Sequence, residues 1–246
     1  MVTLKHPKIV GVYASYFSPD EDTFVGVTEL CEYGSLFEFF KKRRTEKKKI
    51  PEEIIHVIMI DLLEAIKHVH SKNWLHRDMK SDNVFVSSDG HVKLGDFGTA
   101  RPLNPPKMDF SGTDVYMSPE MFKDFTAYAA TDLWGIGIIL LEGCGVLHDI
   151  IEDFKNVRDH IELIPSMIHE SYSDELKAVI IDLLKEDYRN RPTSTDLLDR
   201  VRLPQDFDRE AELKFHFSPI DKTAKKLQLS GSNNIFNQDF DHDDME

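Results

Sequence analysis

The sequence predicts an α+β fold in which a short pair of strands leads into a mostly helical body. Three observations carry this prediction. Residues 9–17 and 23–30 alternate apolar and polar positions on either side of Ser18-Pro19-Asp20-Glu21-Asp22, the pattern of two strands joined by a turn. Ile54, Ile58, Leu62 and Ile66 recur every four residues, with Ile55, Met59 and Leu63 widening the stripe, which lays one apolar face along a helix. Residues 131–142 are almost wholly apolar after Asp132, and a helix apolar on every side has to be buried.

Length and charge narrow the class. The 246 residues suffice for one large domain or two small ones, and a 41% hydrophobic, 30% charged composition is ordinary for a globular protein that faces water. A net charge of −14 argues against nucleic acid and anionic membranes as partners. No apolar run approaches the roughly twenty residues of a membrane-spanning helix. Residues 1–7 lack the apolar core of a signal peptide. Two cysteines, Cys31 and Cys144, make no disulfide framework and fit a reducing compartment, so the expected location is cytoplasmic.

After the strands, Glu29-Leu30-Cys31-Glu32-Tyr33-Gly34 reads as a strand end and turn, and residues 35–42 as a short helix. Residues 41–49 carry seven basic side chains and read as a solvated linker, with substrate docking as the sharper alternative. A helix begins at Pro51, favourable at the first helical position, and Glu52 and Glu53 complement the positive end of its dipole. His56, His68 and His70 are expected on the helix surface or as caps, because no cysteine or carboxylate cluster accompanies them. Residues 84–89 and 90–95 read as two strands with their turns, and 154–164 and 174–184 as helices. Beyond about residue 202 the pattern fades. Residues 230–234 are linker-like, and 238–246 hold five acids and no Lys or Arg, a composition that cannot bury enough apolar surface to order itself.

The chemistry concentrates in His76-Arg77-Asp78-Met79-Lys80-Ser81-Asp82-Asn83, followed after twelve residues by Asp96-Phe97-Gly98. In this order and at these distances the residues closely resemble the catalytic and metal-binding core of eukaryotic protein kinases, of the Ser/Thr type because Lys80 stands in the catalytic loop. The resemblance covers about residues 4–203. It implies a protein-kinase-like fold: a remnant of the small β lobe with two strands and the hinge (1–33), a mostly helical large lobe (34–203), and an acidic tail expected to be disordered (204–246). ATP and Mg²⁺ are the implied cofactors and a protein hydroxyl the implied acceptor, while oligomeric state is left open.

Residue by residue, the resemblance makes Asp78 the base, Lys80 a cation for the γ-phosphate, and Asn83 and Asp96 hard oxygen ligands for Mg²⁺. Thr113 would bond Asp78 and Lys80. Thr28 would guard the rear pocket, backbone groups of Glu29 and Cys31 would hydrogen-bond adenine, and Phe85 would lie beneath it. His76, Arg77, Phe97 and Gly98 are structural or regulatory, with Gly98 permitting a turn denied to other residues. Residues 111–120 resemble the activation segment and its closing A-P-E, with Ser118 for Ala. Asp132 would tie down the catalytic-loop backbone, and Arg191 would pair with Glu120 to anchor the segment. Arg77 would receive an activation-loop charge, either a permanent one from Asp109 or a phosphate on nearby Ser111.

The family's Gly-rich phosphate loop, its nucleotide-binding Lys and the partner Glu are absent from this match: no G-x-G-x-x-G occurs, and the Glu would fall a few residues before Met1. By analogy with one lost transition-state donor, the missing Lys costs about 10²–10³ in rate. Two functions stand from this reading. One is an ATP-dependent Ser/Thr protein kinase in a shortened chain. The alternative is a catalytically inactive kinase-like binding or regulatory module.

Overall fold

The computed structural model describes residues 4–18, 23–103, 114–148, 150, 157–158, 160–217 and 219. Strands β1 (Val12–Ser18) and β2 (Thr23–Thr28) form an antiparallel pair, from Val12 opposite Thr28 to Ser18 opposite Thr23. Both are shorter than predicted. Ile9 and Val10 instead join a second hairpin, β4 (Val84–Ser87) and β5 (His91–Leu94): Ile9 bridges to Leu94, and the Val10 N–H donates to the Leu94 carbonyl at 2.9 Å. Between the hairpins lie helices α1 (Leu36–Thr45) and α2 (Glu52–Ser71) and the two-residue strand β3 (Trp74–Leu75), which pairs with β6 (Arg101–Pro102).

Helix α1 runs into the basic stretch expected as linker. Lys42, Arg43 and Arg44 fill its last turn, where positive charge suits the negative end of the dipole, and Ser35 caps its start by accepting from the Glu38 N–H. Pro51 sits one place earlier than predicted, at the cap of α2. The predicted stripe of α2 is buried throughout, from Ile54 to Ile66. It packs on α4 (Ala129–Gly143), which follows the short α3 (Pro119–Asp124) and is buried on every side. Bare Cα atoms let α4 approach the catalytic loop, since a Cβ on Gly135 would run into Met79.

Two expectations are corrected. The helix predicted over 154–164 does not span that range: residues 157, 158 and 160 are non-helical, a 3₁₀ turn covers Ile161–Leu163, and α5 (Ile164–Met167) begins only there. Pro165 lies inside the helical stretch that follows, where its fixed φ suits a first turn. After α6 (Asp174–Leu183) and α7 (Ser194–Arg200), the stretch expected as disordered from residue 204 contains an ordered helix, α8 (Arg209–His216). The acidic average concealed a short amphipathic segment. Asp208 caps it, Leu213 and Phe217 are buried, and Phe217 stacks on Phe39 of α1 with ring centroids 3.9 Å apart. The acidic run 238–246 lies outside the described residues.

Candidate active site

The β4–β5 hairpin brings together two residues with twelve others between them. Asn83 immediately precedes β4 and Asp96 follows β5 by one residue; Val84 lies opposite Leu94, and the Gly95 N–H donates to the Asn83 carbonyl at 2.8 Å. Closing the hairpin therefore places two oxygen-bearing side chains at its open end. Its core-facing positions Val84, Val86, Val92 and Leu94 are fully buried, which fixes the register, because a one-residue slip would turn them all outward.

Asp78 sits beside this end. Its Oδ2 takes the Lys80 Nζ at 2.7 Å and the Asn83 Nδ2 at 3.0 Å, and Asn83 also donates to the Asp78 carbonyl at 2.9 Å. With the amide N–H groups directed to Asp78, the remaining polar atom of the Asn83 side chain is Oδ1, a hard oxygen. Asp78 Oδ1 is buried with no hydrogen-bond partner among the described residues. A buried, unsatisfied carboxylate oxygen is costly unless something completes it, and a hydroxyl donor would.

The loop backbone is held from below. Asp132, at the start of α4, accepts the N–H of His76 at 3.0 Å and of Arg77 at 2.8 Å, and also meets the His70 Nε2 at 2.8 Å. Burial pushes the Asp132 carboxyl up, but the His70 contact, the nearby His76 and the Arg77 N–H together hold it below the usual range. His76 reaches the Gly95 carbonyl at 2.9 Å and meets Phe97 edge-on at 4.8 Å, joining the two motifs. Arg77 is buried with φ +71°, a conformation side-chain-bearing residues resist, and its guanidinium reaches the Thr99 carbonyl at 3.5 Å.

Gly98 corrects an expectation. The left-handed backbone belongs to Asp96, with φ +52°, and not to Gly98. The glycine serves close approach: its N–H donates to Asp96 Oδ1 at 3.2 Å, and an added Cβ would press on that same oxygen at 3.2 Å.

A cleft of about 300 Å³ opens beside this constellation, lined by Val10, Thr28, Glu29, Cys31, Asp82 and Phe85 among others. Phe85 closes over Gly95, where a Cβ would meet its ring at 2.8 Å. The segment from Cys31 to Gly34 is pinned to β4 by Tyr33 N–H to Val86 carbonyl at 3.1 Å and Val86 N–H to Gly34 carbonyl at 2.9 Å, with Gly34 at φ +78°. Glu29 spends its N–H on Gly11, and Cys31 its carbonyl on Gly34. The Glu29 carbonyl and the Cys31 N–H are left without backbone partners among the described residues. Burial raises the Cys31 thiol to about 12, which makes it an apolar wall of the cleft at neutral pH.

Residues 1–201 match the family described as protein kinase domain. The chain belongs to the protein kinase family.

Mouse serine/threonine-protein kinase Nek3 is 33% identical over 212 residues, covering 82% of this chain and 40% of that protein. Human serine/threonine-protein kinase Nek2 is 34% identical over 206 residues, covering 80% and 46%. Mouse myosin-IIIa is 32% identical over 212 residues, covering 78% and 13%. The chain spans less than half the length of these relatives.

In this kinase domain Glu120 and Arg191 meet in a two-pronged contact at 2.7 and 2.8 Å. Glu120 also receives the Thr131 hydroxyl at 2.8 Å, and the guanidinium lies 5.0 Å over Trp134. Thr113, Asp109 and Ser111 lie outside the described residues. Three groups escaped the sequence reading. His70 was expected on the surface or as a cap, yet it reaches Asp132. Tyr116 donates to Glu142 at 2.6 Å and lies 3.1 Å from the Ser81 hydroxyl, bracing the catalytic loop from α4. Burial, opposed by the Tyr116 hydrogen bond, holds the Glu142 carboxyl above its usual range. Asp61 is fully buried on α2, where it binds Lys8 at 2.8 Å, the Val92 N–H at 2.8 Å, and Arg209. No spacing in the sequence announces these contacts. The described residues hold no cluster of three or more His, Cys, Asp or Glu suited to a metal, and no helix long and apolar enough to cross a membrane.

Proposed function

We propose that this domain transfers the γ-phosphoryl group of Mg²⁺-bound ATP to a serine or threonine hydroxyl of a protein, with Asp78 as the base. The observation that carries the reading is the division of labour on Asp78: Lys80 and Asn83 occupy Oδ2, while buried Oδ1 has no hydrogen-bond partner among the described residues. An acceptor hydroxyl bonded to Oδ1 would be oriented for attack and would pass its proton there late in transfer.

The donor set fits Mg²⁺. Asn83 Oδ1 and the Asp96 carboxylate are hard oxygens at one end of a hairpin, and Mg²⁺ takes few protein ligands, filling the rest with phosphate and water. When bound, the ion and nucleotide supply the phosphoryl group and the neutralising charge. The chain's own residues do the rest: the Glu29 carbonyl and Cys31 N–H offer an acceptor and a donor to adenine, Phe85 forms a flat apolar wall, and Asp132 holds the loop so that Asp78 stays in place. Lys80, already paired with Asp78, keeps that carboxylate's second oxygen occupied.

The test is phosphate transfer from labelled ATP to a mixed Ser/Thr peptide library, together with nucleotide binding. Asp78→Asn should lower turnover by about 10²–10⁴ while leaving nucleotide affinity unchanged. Asp96→Ala should remove the Mg²⁺ dependence of binding. Mg²⁺-dependent binding without any transfer, in wild type as in Asp78→Asn, would instead leave a nucleotide-binding module that does no chemistry.

A further inference from the structure

The basic run 41–49 plays no part in the site above, yet the fold gives it a definite surroundings. Within nine residues it holds seven cations and one acid, Glu46, in a chain whose net charge is −14. Lys41, Lys42, Arg44 and Lys47 to Lys49 are exposed along the end of α1 and the turn after it. Glu46 pairs with Lys48 at 2.9 Å. Arg43 turns inward, and its Nε is buried with no hydrogen-bond partner among the described residues. Beside it lies a small cavity of about 80 Å³ whose lining includes four cations, Arg43, Arg44, Lys48 and Lys49, against one carboxylate, Glu142. That volume admits a carboxylate.

The chain itself leads to this face. Helix α8 ends against α1, where Phe217 stacks on Phe39, one helical turn ahead of Arg43. The closeness is also felt electrostatically: burial first, and then the charge of Arg43, hold His216 below its ordinary range. From Pro219 the chain needs twenty steps to reach Asp239, where five acids follow within eight residues with no Lys or Arg among them. A chain of that length extends up to about 70 Å, several times the roughly 15 Å length of α1.

We infer that the acidic segment 238–246 docks in the same molecule on the basic face formed by residues 41–49, with one carboxylate entering the Arg43 cavity and meeting its unpartnered Nε. The remaining pairs are exposed and individually weak. Tethering compensates, because it presents the segment at an effective concentration on the order of millimolar. An acidic protein arriving from solution must exceed that concentration to take the face. Salt weakens the contact, since exposed charges are screened beyond about 8 Å at physiological ionic strength.

The experiment uses the full chain and no catalytic readout. A zero-length carbodiimide, which joins lysine amines to carboxylates, is applied at low and high salt, and the linked peptides are mapped by mass spectrometry. Expected are links from Lys41, Lys42, Lys48 or Lys49 to residues 239–246 within the monomer, unchanged on dilution and lost at high salt. A second protein carries Asp239→Asn, Asp241→Asn, Asp243→Asn, Asp244→Asn and Glu246→Gln, all outside the described residues. It should bind a fluorescent oligoglutamate peptide about tenfold more tightly than the wild type, because the face is uncovered. Adding Arg43→Ala to that protein should abolish most of the gain. Links confined to dimers, links of the acids to lysines elsewhere, or equal peptide affinity in the two proteins each overturn the inference.

Discussion

The two hairpins are built alike and live in opposite conditions. Each is a pair of antiparallel strands, and such a pair alone is marginal in water. In β4–β5 the four apolar positions Val84, Val86, Val92 and Leu94 are 0% exposed. Gly34 binds the Val86 N–H, Asp61 the Val92 N–H, and Lys8 the Leu94 N–H at 2.9, 2.8 and 2.9 Å. In β1–β2, Tyr13 is 73% and Val27 42% exposed, and among the described residues no second layer covers them. A side-chain link joins the pairs: Lys93 of β5 holds Glu29, just past β2, at 2.9 Å. The hairpin that carries Asn83 and Asp96 at its ends is thus the one clamped on every side. Rigidity is concentrated where the candidate metal ligands need it.

Removing the clamp gives the sharpest break. Asp61→Ala strands the buried Lys8 without its countercharge and orphans the Val92 N–H, and it should cost about 3–5 kcal/mol in urea unfolding. A loss under about 1 kcal/mol would show that the buried cluster does not hold β5. Burial alone comes next. Val92→Ala should cost about 2 kcal/mol, the transfer of a fully buried valine with a small cavity left behind.

The link between the hairpins should matter less and should depend on pH. Burial lowers the Lys93 ammonium, but its bonds to Glu29 and Asp89 prevail and raise it above its ordinary 10.5. A lysine whose folded value is raised stabilises fully below the unfolded value and loses that contribution as pH rises through the folded one. Lys93→Met should therefore cost about 1 kcal/mol at neutral pH and flatten the stability loss above about pH 10.5 in a pH series of thermal melts. The smallest effect belongs to the exposed pair. Tyr13→Ser should change stability by less than about 0.5 kcal/mol. In native-state hydrogen exchange, β1–β2 amides should exchange well before those of β4–β5. Equal protection of the two hairpins would erase the contrast.

Periodicity and motif spacing determined a good deal unaided. The apolar stripe of α2, the wholly buried α4, both hairpins and the Glu120–Arg191 pair were legible, because each depends on residue types at short, regular intervals or on a motif set with few other uses. Element ends were less legible. Helix α1 outran its prediction because its basic residues suit a helix terminus as well as a linker, and the helix suggested over 154–164 begins only as a 3₁₀ turn at Ile161. Tertiary structure alone decided the rest. Asp61 meets Arg209 from 148 positions away, His70 turns from surface residue to partner of Asp132, and Phe217 orders a segment whose average composition is that of a disordered one. A buried charge or ring is stabilised by whichever partner the packed chain brings to it, and that partner leaves no mark at the residue's own place in the sequence.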